Sequence, residues 1–207
     1  VSTALVVFAR APEAGRAKTR LIPALGADGA AALAERLLRH AVGHALRVDV
    51  AHRELCVTPS IAHPAFGRLP GAGTARLQLA QQGEGDLGER MHRALERLLR
   101  SHDRALLIGT DAPDLDAARI TAARDALDGH DAVFVPALDG GYALVGLTRP
   151  APQLFLDMRW STPQVMADTR ERAGGAGLRW IELEPVADID EPADLARLPA
   201  DWLRCAG

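Results

Sequence analysis

The stretch Leu106-Leu107-Ile108-Gly109-Thr110-Asp111-Ala112-Pro113-Asp114-Leu115 decides the fold. Three aliphatic residues run into a lone carboxylate, and Pro113 then bars the strand from continuing. A strand without polar residues is one covered on both faces, as in a parallel sheet. The spacing predicts a strand over Arg104–Gly109 and a helix over Leu115–Leu127. Asp111 is thereby expected beyond the carboxyl end of a central strand, facing the crevice where open α/β sheets keep their ligands. An aspartate in this place also suits a simple Asx turn.

Outward from this stretch, strands and helices alternate. Strands are expected over Thr3–Ala9, Glu54–Thr58, Arg76–Gln81, Ala132–Ala137, Tyr142–Leu147 and Leu178–Glu184. Ala30, Leu33, Ala34, Leu37, Leu38, Ala41, Val42 and Ala45 recur at three- and four-residue spacing, predicting a helix over Ala27–Leu46. Further helices are expected over Asp86–Ser101, Thr162–Ala173 and, briefly, Pro192–Leu198. Residues 59–74 read as loop with at most one helical turn. After Pro136 two strands follow with only a turn between them. The expectation is therefore an α/β fold: a single Rossmann-like domain over residues 1–207, with a mixed, mostly parallel sheet and helices on both faces.

Composition narrows the function. The 207 residues are 48% apolar and 25% charged, with a formal net charge of −3, which argues against nucleic acid as a partner. Cys56 and Cys205 cannot build a disulfide scaffold, and a reducing cytoplasm is the expected location. The run Thr3–Ala9 is too short for a membrane span. Seven scattered histidines offer no paired metal ligands.

Four further segments carry candidate chemistry. The loop Arg10-Ala11-Pro12-Glu13-Ala14-Gly15-Arg16-Ala17-Lys18-Thr19-Arg20 is long and basic. It can fold over phosphates, with Gly15 allowing close backbone approach, or lie as a solvated basic loop. It contains neither a Walker A loop nor a dinucleotide fingerprint. Asp188-Ile189-Asp190-Glu191-Pro192 puts two carboxylates on one face if extended, although Asp190 also suits the cap of the following helix. Asp139-Gly140-Gly141-Tyr142 is a hairpin turn that could also admit a hydroxylated substrate. In Gly85-Asp86-Leu87-Gly88-Glu89-Arg90, Asp86 suits a helix cap and Arg90 could reach a phosphate or carboxylate. Trp160, Trp180 and Trp202 are read as packing residues. Two carboxylate positions with one basic loop suit a nucleotide diphosphate bridged by a hard cation.

Taken together, Phe8-Ala9-Arg10-Ala11-Pro12, Lys18-Thr19-Arg20-Leu21, Gly85–Met91, Ile108–Pro113, Pro136–Tyr142 and Asp188–Leu195 resemble the DUF2064 family in order and spacing. That family is described as radical-SAM/selenodomain-associated transferases and as glycosyltransferases of the arsenosugar-biosynthesis type. More distant similarity extends to phospholactate and molybdenum-cofactor guanylyltransferases. Three positions depart from the family: Arg10 where lysine is frequent, Ala143 in place of a second tyrosine, and Glu191 where threonine is frequent.

The resemblance implies the GT-A fold of nucleotide-diphospho-sugar transferases. It implies a metal-dependent transfer of sugar from a nucleotide-diphosphate sugar to a small-molecule acceptor. Asp111, Asp190 and Asp188 would hold Mg²⁺ or Mn²⁺. Arg10, Gly15, Lys18, Arg20 and Arg90 would bind the nucleotide. Asp139, Gly140, Gly141 and Tyr142 would contact sugar or acceptor. Asp111 and Asp139 are the catalytic candidates, Asp139 as the base for an acceptor hydroxyl. Nucleotidyl transfer with release of pyrophosphate is the alternative, and nucleotide binding without turnover a third reading. Asp111 and Asp190 are expected to share an ion, and as two facing like charges to leave the fold no less stable when Asp111 becomes Asn.

Overall fold

The computed structural model describes residues 1–202, and Cys205 lies outside them. Seven strands form one sheet: β1 (Thr3–Arg10), β2 (His52–Thr58), β3 (Gln78–Gln81), β4 (Arg104–Ile108), β5 (Ala132–Pro136), β6 (Tyr142–Leu147) and β7 (Trp180–Glu182). Their spatial order is β3-β2-β1-β4-β6-β5-β7. Only β6 runs antiparallel to its neighbours β4 and β5. It follows β5 through the short turn at 137–141, and a turn that short can return the chain only antiparallel.

Strand side chains alternate between two cores. On one face Leu5, Val7, Leu106, Ile108 and Val133 pack under α1 (Ile22–Ala45) and α4 (Ala117–Ala126). On the other, Ala4, Val6, Leu107, Phe134 and Val145 meet α3 (Leu87–Leu99) and α5 (Val165–Gly175). All five residues of β4 and of β5 are buried, which accounts for their apolar sequence; the exception, Arg104 at the start of β4, pairs its guanidinium with Asp128. The α/β class, the mixed sheet and its coverage on both faces are as the sequence predicts.

Several boundaries differ for local reasons. The helix expected from Ala27 begins at Ile22, with a break at Gly26 (φ 71°, ψ 169°) that only glycine takes without strain. The helix expected from Thr162 begins at Val165, because Ser161 adopts a left-handed φ of 61°. The strands expected at 76–81 and 178–184 shorten to β3 and β7, both at sheet edges. The C-terminal helix is a 3-10 helix, Pro192–Arg197. The single turn within 59–74 is α2 (Pro64–Gly67). No helix among the described residues is long and apolar enough to cross a membrane.

The topology places the crevice. From β1 the chain winds outward through β2 and β3, then crosses back through α3 to β4 on the other side of β1. Strand order reverses between β1 and β4, so the loops leaving them diverge and open a cleft. Because β6 is antiparallel, its first residues lie at the same edge, with Leu144 opposite Ile108.

Candidate functional site

Three loops meet at this edge, and Lys18 ties them together. Lys18 has a left-handed backbone (φ 48°, ψ 46°). Its Nζ donates to Ile189 O at 2.7 Å and Asp190 Oδ1 at 2.9 Å, and pairs with Asp111 Oδ1 at 2.5 Å. An ammonium has three donors, and here three acceptors take them. Its side chain is 7% exposed. Burial works against the ammonium, yet the charges and hydrogen bonds of Asp111 and Asp190 outweigh it and raise its pKa above the ordinary value. The Asp111 carbonyl accepts the Ile189 N–H at 2.9 Å, which fixes the C-terminal segment beside β4.

The two carboxylates are thus brought together, but with one ammonium already between them. The expectation that Asp111→Asn would relieve repulsion does not hold, because the lysine between them makes each an attractive partner. Asp190 is also not a helix cap. Glu191 takes that place, and Asp194 in the first turn accepts the N–H groups of Asp190 and Glu191 at 3.1 and 2.8 Å. Arg20 lies outside the pair, 3.6 Å from Asp190 Oδ2 and 3.3 Å from Glu191 Oε1.

The crevice is two adjoining cavities of about 640 and 450 Å³. They share Arg20, Asp111, Tyr142, Ser161 and Asp190. The first holds Arg10, Arg16, Lys18, Arg20 and Arg90 against two carboxylates, Asp111 and Asp190. Arg90 Nε is buried with no hydrogen-bond partner among the described residues. Such an orphaned donor costs about 1–3 kcal/mol and calls for an acceptor. Arg90 comes from the first turn of α3, whose start is fixed by a capping box. There the Asp86 carboxylate accepts the Glu89 N–H and the Glu89 carboxylate the Asp86 N–H. Gly15 does not line the cavity.

The second cavity reverses the charge. Asp111, Asp139, Asp188 and Asp190 line it against Arg20 alone. Burial, and then the charge of Asp139, pushes the Asp188 carboxyl up to about 6. Asp139 Oδ1 accepts the Gly141 N–H at 2.8 Å and so serves the turn. Gly141 lines the cavity, whereas Gly140 supports it from behind. Gly140 has φ 95°, a Cβ there would lie 2.2 Å from Pro163 O, and its carbonyl accepts the Met166 N–H. The Tyr142 ring lines both cavities and stacks edge-on against Trp160. Its hydroxyl is buried without a partner among the described residues, and burial raises its pKa.

Sequence reasoning passed over Trp160 and Ser161. Trp160 forms an apolar wall of the second cavity with Pro163 and Val165. The signal was present in Trp160-Ser161-Thr162-Pro163, a large ring before a helix start, but its place beside the Asp139 turn is set by tertiary packing. Of three non-glycine residues with positive φ among the described residues, two, Lys18 and Ser161, line the crevice.

Among the described residues, no group of three or more His, Cys, Asp and Glu side chains is gathered to hold a metal ion. The Asp111–Asp190 pair nevertheless has the donor chemistry of a hard cation. Mg²⁺ in particular is held through one or two carboxylates, with waters and substrate phosphates completing its shell. The pair fits such an ion once Lys18 is withdrawn from between the two carboxylates.

A family model described as "Uncharacterized protein conserved in bacteria (DUF2064)" matches residues 37–162. A crystal structure from Desulfovibrio desulfuricans G20, provisionally described as a nucleotide-diphospho-sugar transferase, is 28% identical. It aligns over 100% of this chain and 92% of that one, with a TM-score of 0.85. The 4-diphosphocytidyl-2C-methyl-D-erythritol synthase of Anaerococcus prevotii DSM 20548 shares the fold at 10% identity, with coverage of 98% and 96% and a TM-score of 0.64. So does the glucosyl-3-phosphoglycerate synthase of Mycobacterium tuberculosis, solved with Mn²⁺, UDP and glucosyl-3-phosphoglycerate. Its identity is 12%, coverage 95% and 75%, and TM-score 0.54. No curated protein sequence matches the chain.

Proposed function

Because this chain belongs to the DUF2064 family, we propose that it transfers a sugar from a nucleotide-diphosphate sugar to a hydroxyl of an uncharged small-molecule acceptor. The observation that carries this reading is the division of charge across the crevice. Five cationic side chains line one cavity, and four carboxylates with an aromatic wall line the next. The first suits a diphosphate. The second suits a sugar and a neutral hydroxylated acceptor, and repels a phosphorylated one.

Arg10, Arg16, Arg20 and Arg90 hold the diphosphate from the side of β1 and α3. Asp111 and Asp190, with Asp188 beside them in the second cavity, would hold Mg²⁺ or Mn²⁺, which would supply Lewis-acid neutralisation of the leaving diphosphate. Trp160 and Tyr142 exclude water from the second cavity and pack against the sugar. Asp139 Oδ1 is engaged by the turn, so Oδ2 accepts the acceptor's hydroxyl proton. The acceptor oxygen then bonds to the anomeric carbon as the bond from that carbon to the phosphate oxygen breaks. The electron pair of that bond leaves with the nucleoside diphosphate.

The test is product identity. The protein is incubated with nucleoside triphosphates and with nucleotide-diphosphate sugars, each with neutral polyols and with sugar phosphates as acceptors. Release of nucleoside diphosphate with a glycosylated neutral acceptor is expected. Pyrophosphate release with a phosphorylated acceptor would establish nucleotidyl transfer instead. Saturable nucleotide binding without either product would leave a binding module.

A further inference from the structure

The ammonium of Lys18 stands where a divalent cation must go. A cation bound by Asp111 and Asp190 needs their oxygens at about 2.0–2.6 Å. Asp111 Oδ1 and Asp190 Oδ1 are instead turned on one nitrogen, at 2.5 and 2.9 Å. Two positive centres cannot occupy one gap between the same oxygens. The lysine has no spare donor, since Ile189 O takes the third at 2.7 Å. It can leave only if another acceptor replaces these three, because a buried ammonium without partners is strongly disfavoured.

The first cavity is where that acceptor would arrive. Lys18 lines it, together with Arg10 and the unsatisfied Arg90. An anion drawn in by the arginines comes within reach of a flexible four-carbon stem.

We infer that Lys18 is a built-in counter-ion that keeps the Asp111–Asp190 pair closed to a divalent cation until a diphosphate in the first cavity draws the ammonium away. Cation and nucleotide diphosphate are therefore taken up together, and the cation does not bind alone. The carboxylate pair is never left without a cation, filled first by the ammonium and then by the ion. The inference rests on the reading of the first cavity as a diphosphate site.

The probe is Mn²⁺, followed by the electron paramagnetic resonance of the free ion, without nucleotide. Wild type is expected to bind it weakly. Lys18→Gln should bind one ion at least tenfold more tightly, and adding Asp111→Asn should abolish the gain. Lys18→Arg, which keeps a cation in place, should stay as weak as wild type. With UDP present, UDP should tighten Mn²⁺ binding by a larger factor in wild type than in Lys18→Gln. Formation of Mn–UDP in solution is common to both proteins and cancels from that comparison. Wild type binding Mn²⁺ without nucleotide as tightly as Lys18→Gln would overturn the inference. If Lys18→Gln fails to fold by circular dichroism, wild type alone decides. Tight nucleotide-free binding that is lost in Asp111→Asn overturns the lock, and weak binding tightened by UDP beyond the Mn–UDP formation measured without protein sustains it. Absence of sugar transfer by wild type would overturn the proposed function without touching the nucleotide-free Mn²⁺ comparison, so the two failures are separable.

Discussion

Asp111 is the residue on which structure and chemistry depend together. Asp111→Asn keeps size and shape but removes a charge that Lys18 and a divalent cation both use. Its side chain is 52% exposed, so solvent screens the pair and the loss of stability should be small, about 1 kcal/mol. In a chain of this size that lowers Tm by roughly 2–4 °C. Turnover with nucleotide-diphosphate sugar should fall at least ~10²-fold, since the lost stabilisation of the leaving diphosphate amounts to several kcal/mol. Calorimetry and nucleoside diphosphate release on one preparation check both. Full metal-dependent turnover in the variant would sink the mechanism. Asp188 behaves differently. Its folded pKa of about 6 lies above the ~3.9 of an unfolded aspartate. The folded state therefore holds more protons between these values, and stability falls as pH rises from about 4 to about 6. Asp188→Asn should melt with wild type at pH 4 and above it at pH 7, by about 1 kcal/mol once partial exposure is allowed for. Equal melting temperatures at both pH values would show that burial and Asp139 do not burden this carboxyl.

At the scale of elements, the site depends on how turns are buttressed. The 139–141 turn presses on the start of α5, with no room for a side chain at Gly140. Gly140→Ala combines a left-handed φ with a clash against Pro163 O and should cost at least ~2 kcal/mol. Since Asp139 and Trp160 flank this contact, acceptor KM should rise in the same variant, with nucleotide binding unchanged. Thermal unfolding and calorimetric nucleotide titration separate the two effects. The first turn of α3 is likewise set by its capping box, and it carries Arg90 into the first cavity. Arg90→Ala should weaken binding of UDP or GDP by ~1.5–3 kcal/mol, the range for a hydrogen bond to a charged group. An unchanged dissociation constant would mean that its orphaned Nε serves no ligand.

Across the whole molecule, the sheet order makes the site. The alternation of apolar runs and amphipathic segments was enough to read the α/β class, the mixed sheet, most elements and the edge at which Asp111 stands. Hydrophobic periodicity is a local property, dictated by which faces must be buried, so it is legible residue by residue. Element ends were less legible: Ser161 takes a left-handed φ just before α5, and α1 begins at Ile22, ahead of a break at Gly26. The candidate loops at 10–20, 109–111, 139–142 and 188–190 were also visible, because chemistry-bearing residues stood out against apolar surroundings. Their mutual arrangement was not. Lys18 and Asp190 are 172 residues apart in sequence, and nothing in either segment says that one will neutralise the other. Nor does the sequence say that Trp160 walls the acidic cavity, or that Glu191 and not Asp190 caps the 3-10 helix at Pro192–Arg197. Such pairings arise where the strand order reverses beside β1 and brings distant loops to one edge. The sequence by itself determined which segments fold and which residues could act. Only the tertiary structure decided which charges meet, because electrostatic partnership depends on distance in space and on burial, and neither is encoded locally.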